Sequence, residues 1–381
     1  MKIGIDGRFW NESGVGRYIR NLVRELNQLD TKNDYILFVK DESSVKNPNS
    51  AKASMGEQEL KKNWSVVETD IRWHTVEEQL RFPFILNSYN LDLVHFPYFS
   101  VPIFYNRPFV VTIHDLILHH FATGKATTLP APLYHLKRLG YKLVMMQAVK
   151  KSQKILTVSE ATKKEIIEHL HVPSKKIVVT YEGVDDTLKK SNSIDTKSTQ
   201  EPFFLYVGNS YPHKNLERLF FAFSSLKDIR VKLYVVGQDD FFFRETKKLA
   251  EQGFRNPNIL FKTNIDDEEL SVLYSHALAL VSPSLMEGFG LPLLEAMNLG
   301  CLVIASDIPS SREICHDAAL YFNPLERGDL ENVLEQVLTR SSSYNTLRKK
   351  GENRVKDFSW NKMANETLRT YESCLSLRSR Q

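Results

Sequence analysis

Three cysteines in 381 residues, Cys301, Cys315 and Cys374, are odd in number and widely spaced. With no C-x-x-C pair they encode neither a disulfide framework nor a cysteine zinc site, and they read as buried, idle thiols of a reducing cytosol. Glycine (16) and proline (15) are too scarce for a collagen-like or low-complexity chain. No run approaches the roughly 18 apolar residues that a membrane-crossing helix needs. Met1 to Asp6 opens directly as a strand, without the apolar stretch of a signal peptide. Charge of one sign is also lacking, because 50 Lys+Arg against 46 Asp+Glu leaves +4. What remains is 42% hydrophobic and 11% aromatic, a globular composition. The length suits two α/β domains or one large barrel.

Apolar strand-like runs alternate with helical periodicity along most of the chain. Strands are predicted at Ile3 to Asp6, Tyr35 to Lys40, Leu91 to Phe96, Phe109 to Ile113, Lys154 to Ser159 and Ile177 to Tyr181. The helix opened by Gly14-Val15-Gly16 repeats Ile19, Leu22, Val23, Leu26 and Leu29 at helical spacing. Ser159 is a candidate N-cap for a helix from Glu160 to Leu170. A polar stretch from Asp185 to Glu201 reads as a linker. A second series follows, with strands at Phe203 to Val207, Val231 to Val236, Ile259 to Phe261, Leu278 to Val281 and Leu302 to Ala305. Its helices are placed at Leu216 to Leu226 and Leu291 to Met297, and the last helix runs from about Trp360 to Leu377. Strands separated by helices indicate parallel βαβ units, so the expected fold class is α/β with two doubly wound, Rossmann-like domains. Ligands of such sheets bind beyond the carboxyl ends of the strands, which points to a cleft between the halves.

The strongest chemical signal is Ser282 to Ala296. A strand ends at Val281, a loop with two glycines follows, and Pro292 stands in the first turn of a helix, where its missing N–H costs nothing. Such a helix start offers N–H donors and a positive dipole end to an anion, and the glycines admit a phosphate. Gly288, Phe289, Gly290 and Leu291 are therefore candidates for a diphosphate cradle. Glu287 and Glu295 bracket it. A carboxylate repels phosphate but accepts vicinal hydroxyls, so a sugar on one side and a ribose on the other would suit the pair. On its own the pattern also fits a glycine turn with two solvated glutamates.

Gly14-Val15-Gly16-Arg17 could begin a dinucleotide fingerprint, with Asp41 or Glu42 as the ribose carboxylate. Ile19 occupies the third glycine position and Phe9 to Ser13 lengthen the turn, which argues against NAD. A simple strand-to-helix turn is the alternative. His114 ends the buried run Val111-Thr112-Ile113, at the strand terminus where α/β sites form, although a lone histidine there is as readily structural.

Glu287 and Glu295 sit within S-x-x-E-G-F-G-L-P-x-x-E-A-M, followed by G-C-L-V-I-A-S-D-I-P-S-S-R-E-I. This closely resembles the signature of the retaining family 4 glycosyltransferases of the GT-B fold, and the likeness runs from the Gly14 loop to the Phe358-Ser359-Trp360 segment. The resemblance implies two facing Rossmann-like domains. Residues 1–185 would form the acceptor side, 186–201 the linker and 202–359 the nucleotide-sugar domain, with the helix of about 360–381 packing back on the first. It implies that Glu287 approaches the donor sugar, Glu295 holds the ribose hydroxyls, and Gly14 and Gly16 close over the diphosphate. It also places His114 near the sugar hydroxyls and the reaction centre, and Lys214 on the diphosphate. His114, Glu287 and Lys214 are thus the expected catalytic residues. Asn209, on the donor side, stands where an arginine is common, so one cation of the pair is absent or replaced, by His213 or by a residue from elsewhere. Asn264 and Ile265 fall in the base-contacting loop, where Thr263 replaces the usual glycine.

No metal is expected. Asp239-Asp240 and Asp266-Asp267 are not in a D-x-D arrangement beside a phosphate loop and read as solvated acidic loops. No cofactor is expected beyond the nucleotide-sugar co-substrate. G-x-D-x-R at the N-terminus, V-T-I-H-D-L and V-G-N-x-x-P-H-K-N resemble bacterial mannosyltransferases of polysaccharide and O-antigen assembly. GDP-mannose is therefore the leading donor, with UDP-glucose or UDP-N-acetylglucosamine behind it, and a saccharide or lipid-linked saccharide the acceptor. A nucleotide-sugar epimerase and a noncatalytic nucleotide-sugar binder remain as other classes. Between Lys125 and Lys176, ten Lys and one Arg face three Glu, a local +8 interleaved with apolar residues. That suits an anionic membrane or a lipid diphosphate, the alternative being a solvated helix face over core residues. Nucleic acid is not expected, because no reading module matches. The expected location is cytoplasmic, at most peripheral at the inner face of the membrane.

Overall fold

A computed structural model describes residues 1–46, 59–121, 131–185, 187–188, 201–227 and 230–376. The chain divides into two compact units. One comprises Met1–Leu116, Thr127–Glu182 and Ser359–Gln381, the other Ile117–Ala126 and Gly183–Phe358. The linker expected at 186–201 lies mostly outside the described residues. Its Thr187 and Leu188 belong to the second unit: Thr187 Oγ1 donates to Asp267 Oδ2 (2.7 Å), and Asn298 Nδ2 donates to the carbonyl of the buried Leu188 (3.1 Å). These bonds anchor the described part of the segment to the second unit, whose longer stretch begins at Gly183.

Among the described residues, the first unit holds a parallel sheet of β1 (Lys2–Asp6), β2 (Asp34–Val39), β3 (Trp64–Glu68), β4 (Leu93–Phe96), β5 (Phe109–Ile113), β6 (Lys154–Thr157) and β7 (Ile177–Val179). Their order is β3-β2-β1-β4-β5-β6-β7. β5 is buried at every position and β1 at all but its first, as strands covered on both faces must be. The edge strand β3 escapes the sequence reading, because Trp-Ser-Val-Val-Glu is short and half polar.

Helix Gly14–Leu29 follows β1 and buries Ile19, Leu22, Val23 and Leu26, whereas Leu29, counted in the same stripe, is exposed in its last turn. Ser159 caps helix Glu160–Leu170 by accepting from Thr162 N (3.0 Å). Helix Trp360–Ser376 packs on helix Gly14–Leu29, with Asn361 Nδ2 donating to Glu25 Oε2 (3.1 Å), and its Tyr371 hydroxyl meets the buried His95 Nδ1 at 2.6 Å. The G-x-D-x-R motif is a buried ion cluster. Arg8 is paired with Asp6 (2.7 Å) and Glu78 (2.6 Å) and lies over the Phe82 ring.

The second unit holds β8 (Phe203–Val207), β9 (Lys232–Val236), β10 (Ile259–Lys262), β11 (Ala279–Ser282), β12 (Val303–Ser306) and β13 (Ala319–Phe322). They too are parallel, in the order β10-β9-β8-β11-β12-β13. Both sheets therefore reverse strand order once, between β1 and β4 and between β8 and β11. The three cysteines are free and buried, and burial pushes the Cys301 and Cys315 thiols up to about 12.

Candidate functional site

The reversal between β8 and β11 is where a doubly wound sheet binds its ligand, because loops from neighbouring strands part in opposite directions there. The β8 loop turns back at once, the Tyr206 hydroxyl donating to the Asn209 carbonyl (2.5 Å). One turn of tight helix, Pro212–Lys214, then ends at Asn215 in the left-handed conformation (φ 58°), which asparagine tolerates. Asn215 Nδ2 donates to the Pro283 carbonyl (3.1 Å), and Leu285 N donates to the His213 carbonyl (2.8 Å). These two bonds tie the β8 and β11 loops together across the switch point.

That tie brings Lys214 to Glu287. Lys214 Nζ donates to Glu287 Oε1 at 2.6 Å, and Ser284 Oγ donates to the same oxygen at 2.7 Å. Oε2 accepts no hydrogen bond among the described residues. Burial alone would raise the Glu287 carboxyl, but the Lys214 charge, the charge that His213 takes on in acid and the two hydrogen bonds outweigh it and hold it below the usual carboxylate range. His213 is not the second cation. Burial, reinforced by the Lys214 charge, lowers it to about 4, so it is neutral at pH 7 and contributes little to Glu287 there. Asn209 supplies no charge either, and its buried Oδ1 has no hydrogen-bond partner among the described residues.

After Glu287 the loop is pinned by Phe289, whose buried ring meets Phe358 edge to face at 5.7 Å. The Phe289 side chain therefore belongs to the core, and only its backbone can face a ligand. Gly290 is held at φ 106°, a conformation that strains any side-chain-bearing residue, and it starts helix Leu291–Asn298 with Pro292 in the first turn. Glu295 lies one turn further on, buried, accepting from the Tyr274 hydroxyl through Oε2 (2.7 Å). Glu295 is therefore held inside the unit by a partner, and is not the solvated acid of the bland alternative.

Asn264 and Ile265 lie after β10, two strands from β8, at roughly 10 Å by ordinary strand spacing. Asn264, next to Thr263, adopts the left-handed conformation at φ 56°, which asparagine tolerates. The acidic pairs have structural duties. Asp240 and Asp266 cap helices by accepting from Phe243 N and Glu269 N (both 2.8 Å), and Asp239 pairs with Arg244 (2.7 Å).

In the first unit, Gly14 and Gly16 differ. Gly14 is exposed, with no atom within 4 Å of where a Cβ would stand. Gly16 is buried, and a Cβ there would lie 2.6 Å from the carbonyl oxygens of both Phe9 and Trp10. His114 stands directly after β5. Its Nε2 is 2.9 Å from the Pro97 carbonyl, which can only accept, so the hydrogen resides on Nε2. Nδ1 faces Glu182 Oε1 at 3.6 Å, and the ring meets Tyr18 at 90° with centroids 4.9 Å apart. Ser284, Tyr274, Asn215 and Glu182 are neighbours of the candidate residues to which the sequence reading gave no role. Ser284 lay in the glycine-loop motif and Asn215 closed the V-G-N-x-x-P-H-K-N motif, whereas Tyr274 and Glu182 carried no signal.

Two family models tile the chain: Glycosyltransferase Family 4 matches residues 13–188 and Glycosyl transferases group 1 matches residues 188–354. O-antigen chain mannosyltransferase B of Escherichia coli is 28% identical over 94% of this chain and 96% of its own length. O-antigen chain mannosyltransferase RfbU of Salmonella typhimurium is 29% identical over 70% of each chain. Among solved structures, sucrose-phosphate synthase from Thermosynechococcus elongatus superposes with a TM-score of 0.77 at 20% identity, covering 99% of this chain and 100% of its own. HepE of Anabaena, solved with UDP and glucose, superposes with a TM-score of 0.75 at 16% identity, covering 98% and 100%. At such identities these two likenesses show the fold alone, which is GT-B.

Proposed function

Since the chain belongs to the glycosyltransferases of family 4 and group 1, we propose that it moves mannose from GDP-mannose to a saccharide or lipid-linked acceptor, with retention, in the building of a cell-surface polysaccharide. The names of its O-antigen relatives support the sugar and the setting. The single observation that carries the site is the Lys214–Glu287 pair, tied across the β8/β11 switch point beside the Gly290 helix start.

In this reading the diphosphate lies on the backbone N–H groups around Gly288 to Leu291, and the unused Lys214 donors take phosphate oxygens. Glu287 keeps Oε2 for a sugar hydroxyl, Glu295 serves the ribose, and His114 positions the sugar. The bond between the anomeric carbon and the phosphate oxygen breaks and the bond to the acceptor oxygen forms on the same face. The acceptor proton passes to the departing phosphate oxygen. Lys214 and the helix start stabilise the charge that develops there, so the reading calls on no metal ion.

A thermal-shift comparison of GDP-mannose, UDP-glucose and UDP-N-acetylglucosamine tests the donor, because a ligand at a hundred times its Kd stabilises by about 2.7 kcal/mol. NMR of the product then reads the anomeric configuration. A larger shift with a UDP-sugar overturns GDP-mannose, and an inverted product overturns retention. An epimerised donor, or binding without turnover, would favour the other classes. Glu295→Ala that keeps the full donor shift would sink the ribose role.

A further inference from the structure

Helix Ala131–Lys151 is apolar on two sides. Met145, Ala148 and Val149 face inward and are buried, whereas Leu133, Leu136, Leu139, Leu143 and Met146 are each about half exposed or more. Their spacing of three, three, four and three residues keeps all five on one outer stripe. An apolar stripe on the outer side of a helix whose opposite side already packs on the core is suited to a second apolar phase. The interleaved apolar residues of this segment are therefore not simply core beneath a solvated face.

The stripe has neighbours of the same kind. Lys151 Nζ donates to the Ile103 carbonyl (3.0 Å) and Asn106 Oδ1 (2.9 Å), and Ile103 N donates to Gln79 Oε1 (2.8 Å). These bonds tie the loop that carries the exposed Phe104 to both that helix and helix Val76–Ser88, which itself exposes Val76, Leu80 and Phe84 at every fourth position. Nine of the sixteen large hydrophobic residues exposed among the described residues lie on these three adjoining elements of the first unit. Concentration of that order on one part of a surface marks an interaction site.

Charge identifies the occupant. Residues 131–151 contain no acidic side chain, while Lys137, Lys142, Lys150 and Lys151 are exposed along the helix. A basic helix with an outward leucine stripe matches a surface that is anionic at its headgroups and apolar beneath them. A second copy of the same face would set lysine against lysine. No helix among the described residues is long and apolar enough to cross a membrane, so any contact is with the surface of the bilayer.

We propose that helix Ala131–Lys151, with Phe104 and helix Val76–Ser88, docks the first unit onto an anionic lipid bilayer. The inference adds to the transferase reading and does not depend on the donor assigned there. The test is co-sedimentation of the full chain with vesicles of phosphatidylcholine alone or mixed with phosphatidylglycerol. Binding to the mixed vesicles only is expected, weakening as salt rises. Leu136→Ser/Leu143→Ser and Lys137→Glu/Lys142→Glu should each lower it about tenfold or more. Both pairs are exposed, so the melting temperature and donor turnover with a water-soluble acceptor should hold, which separates failure of docking from failure of the enzyme. Absence of vesicle binding, or binding that both variants retain, overturns the proposal. So does a dimer in sedimentation velocity that the leucine variant dissolves while vesicle binding persists.

Discussion

Lys214 Nζ and Glu287 Oε1 form a 2.6 Å ion pair between the loops that leave β8 and β11, with both side chains largely shielded from water. The lysine is thus partly neutralised before a substrate arrives, and the glutamate is fixed in its ionised form. Lys214→Ala removes both the phosphate contact and the countercharge of Glu287. Turnover should fall by about 10²–10³, and stability by ~1–3 kcal/mol because a shielded carboxylate loses its charged donor. Glu287→Gln should recover most of that stability in the double variant without recovering turnover. Equilibrium unfolding and steady-state kinetics on the three variants measure the coupling.

The two glycines of the first loop should separate cleanly. Gly16→Ala drives a methyl group onto two backbone carbonyls and should cost about 2–3 kcal/mol by overpacking. Gly14→Ala meets nothing in the folded unit and should leave the melting temperature within a degree or two. If Gly14 lies against the diphosphate, that variant raises the donor KM. An unchanged KM would make Gly14 a plain turn residue.

His114 is oriented from two sides, by the Pro97 carbonyl at Nε2 and by Glu182 near Nδ1. A role at the sugar and not at the nucleotide predicts that His114→Ala lowers kcat/KM by about 10² while the free nucleoside diphosphate still shifts the melting temperature. Glu182→Gln keeps the shape and loses the charge, so a smaller fall, mostly in kcat, is expected. Isothermal titration with the nucleotide beside kinetics with the sugar donor distinguishes the two contributions. Loss of nucleotide binding in His114→Ala would refute the sugar assignment.

Acid should weaken both units before it protonates Glu287, because His95 in the first and His213 in the second are both held neutral by burial. Burial lowers His95 to about 3, so this histidine is neutral in the fold and protonates on unfolding. The unfolded state binds the extra proton between about pH 6.5 and the folded value, and stability falls with pH there by on the order of 1.4 kcal/mol per unit. Glu287 has the other sign of cause. Its depressed folded value supports stability above about pH 4.3, and that support is lost only as pH falls through the lower folded value. Urea unfolding of wild type and His95→Gln from pH 7 to 4 checks the order. A variant with the same slope as wild type between pH 6.5 and 5 would clear His95 of the effect.

Local pattern made much of the donor-side architecture legible. Continuous apolar runs at β5, β8 and β11 could only be strands covered on both faces, and a strand, a glycine loop and Pro292 in order announced a helix start suited to an anion. The edge strands were harder, since β3 lacks a buried outer neighbour and β13 offers only Ala-Leu-Tyr-Phe. The roles of the basic segment were also undecided, because periodicity tells that apolar residues share a face but not which face meets the core.

The amino-acid sequence by itself determined that two parallel α/β series follow one another, and that Glu287 and Glu295 flank a glycine loop at a helix start, because helix and strand periods and glycine's φ freedom act over a few residues. Only the tertiary structure decided the partners. Lys214 meets Glu287 across 73 positions of sequence, Tyr274 holds Glu295, and Glu182 comes to His114. It also decided that burial lowers His213, that Gly16 packs where Gly14 does not, and that five apolar side chains of helix Ala131–Lys151 point outward. Such facts rest on strand order and burial, and these are set by which distant elements pack together.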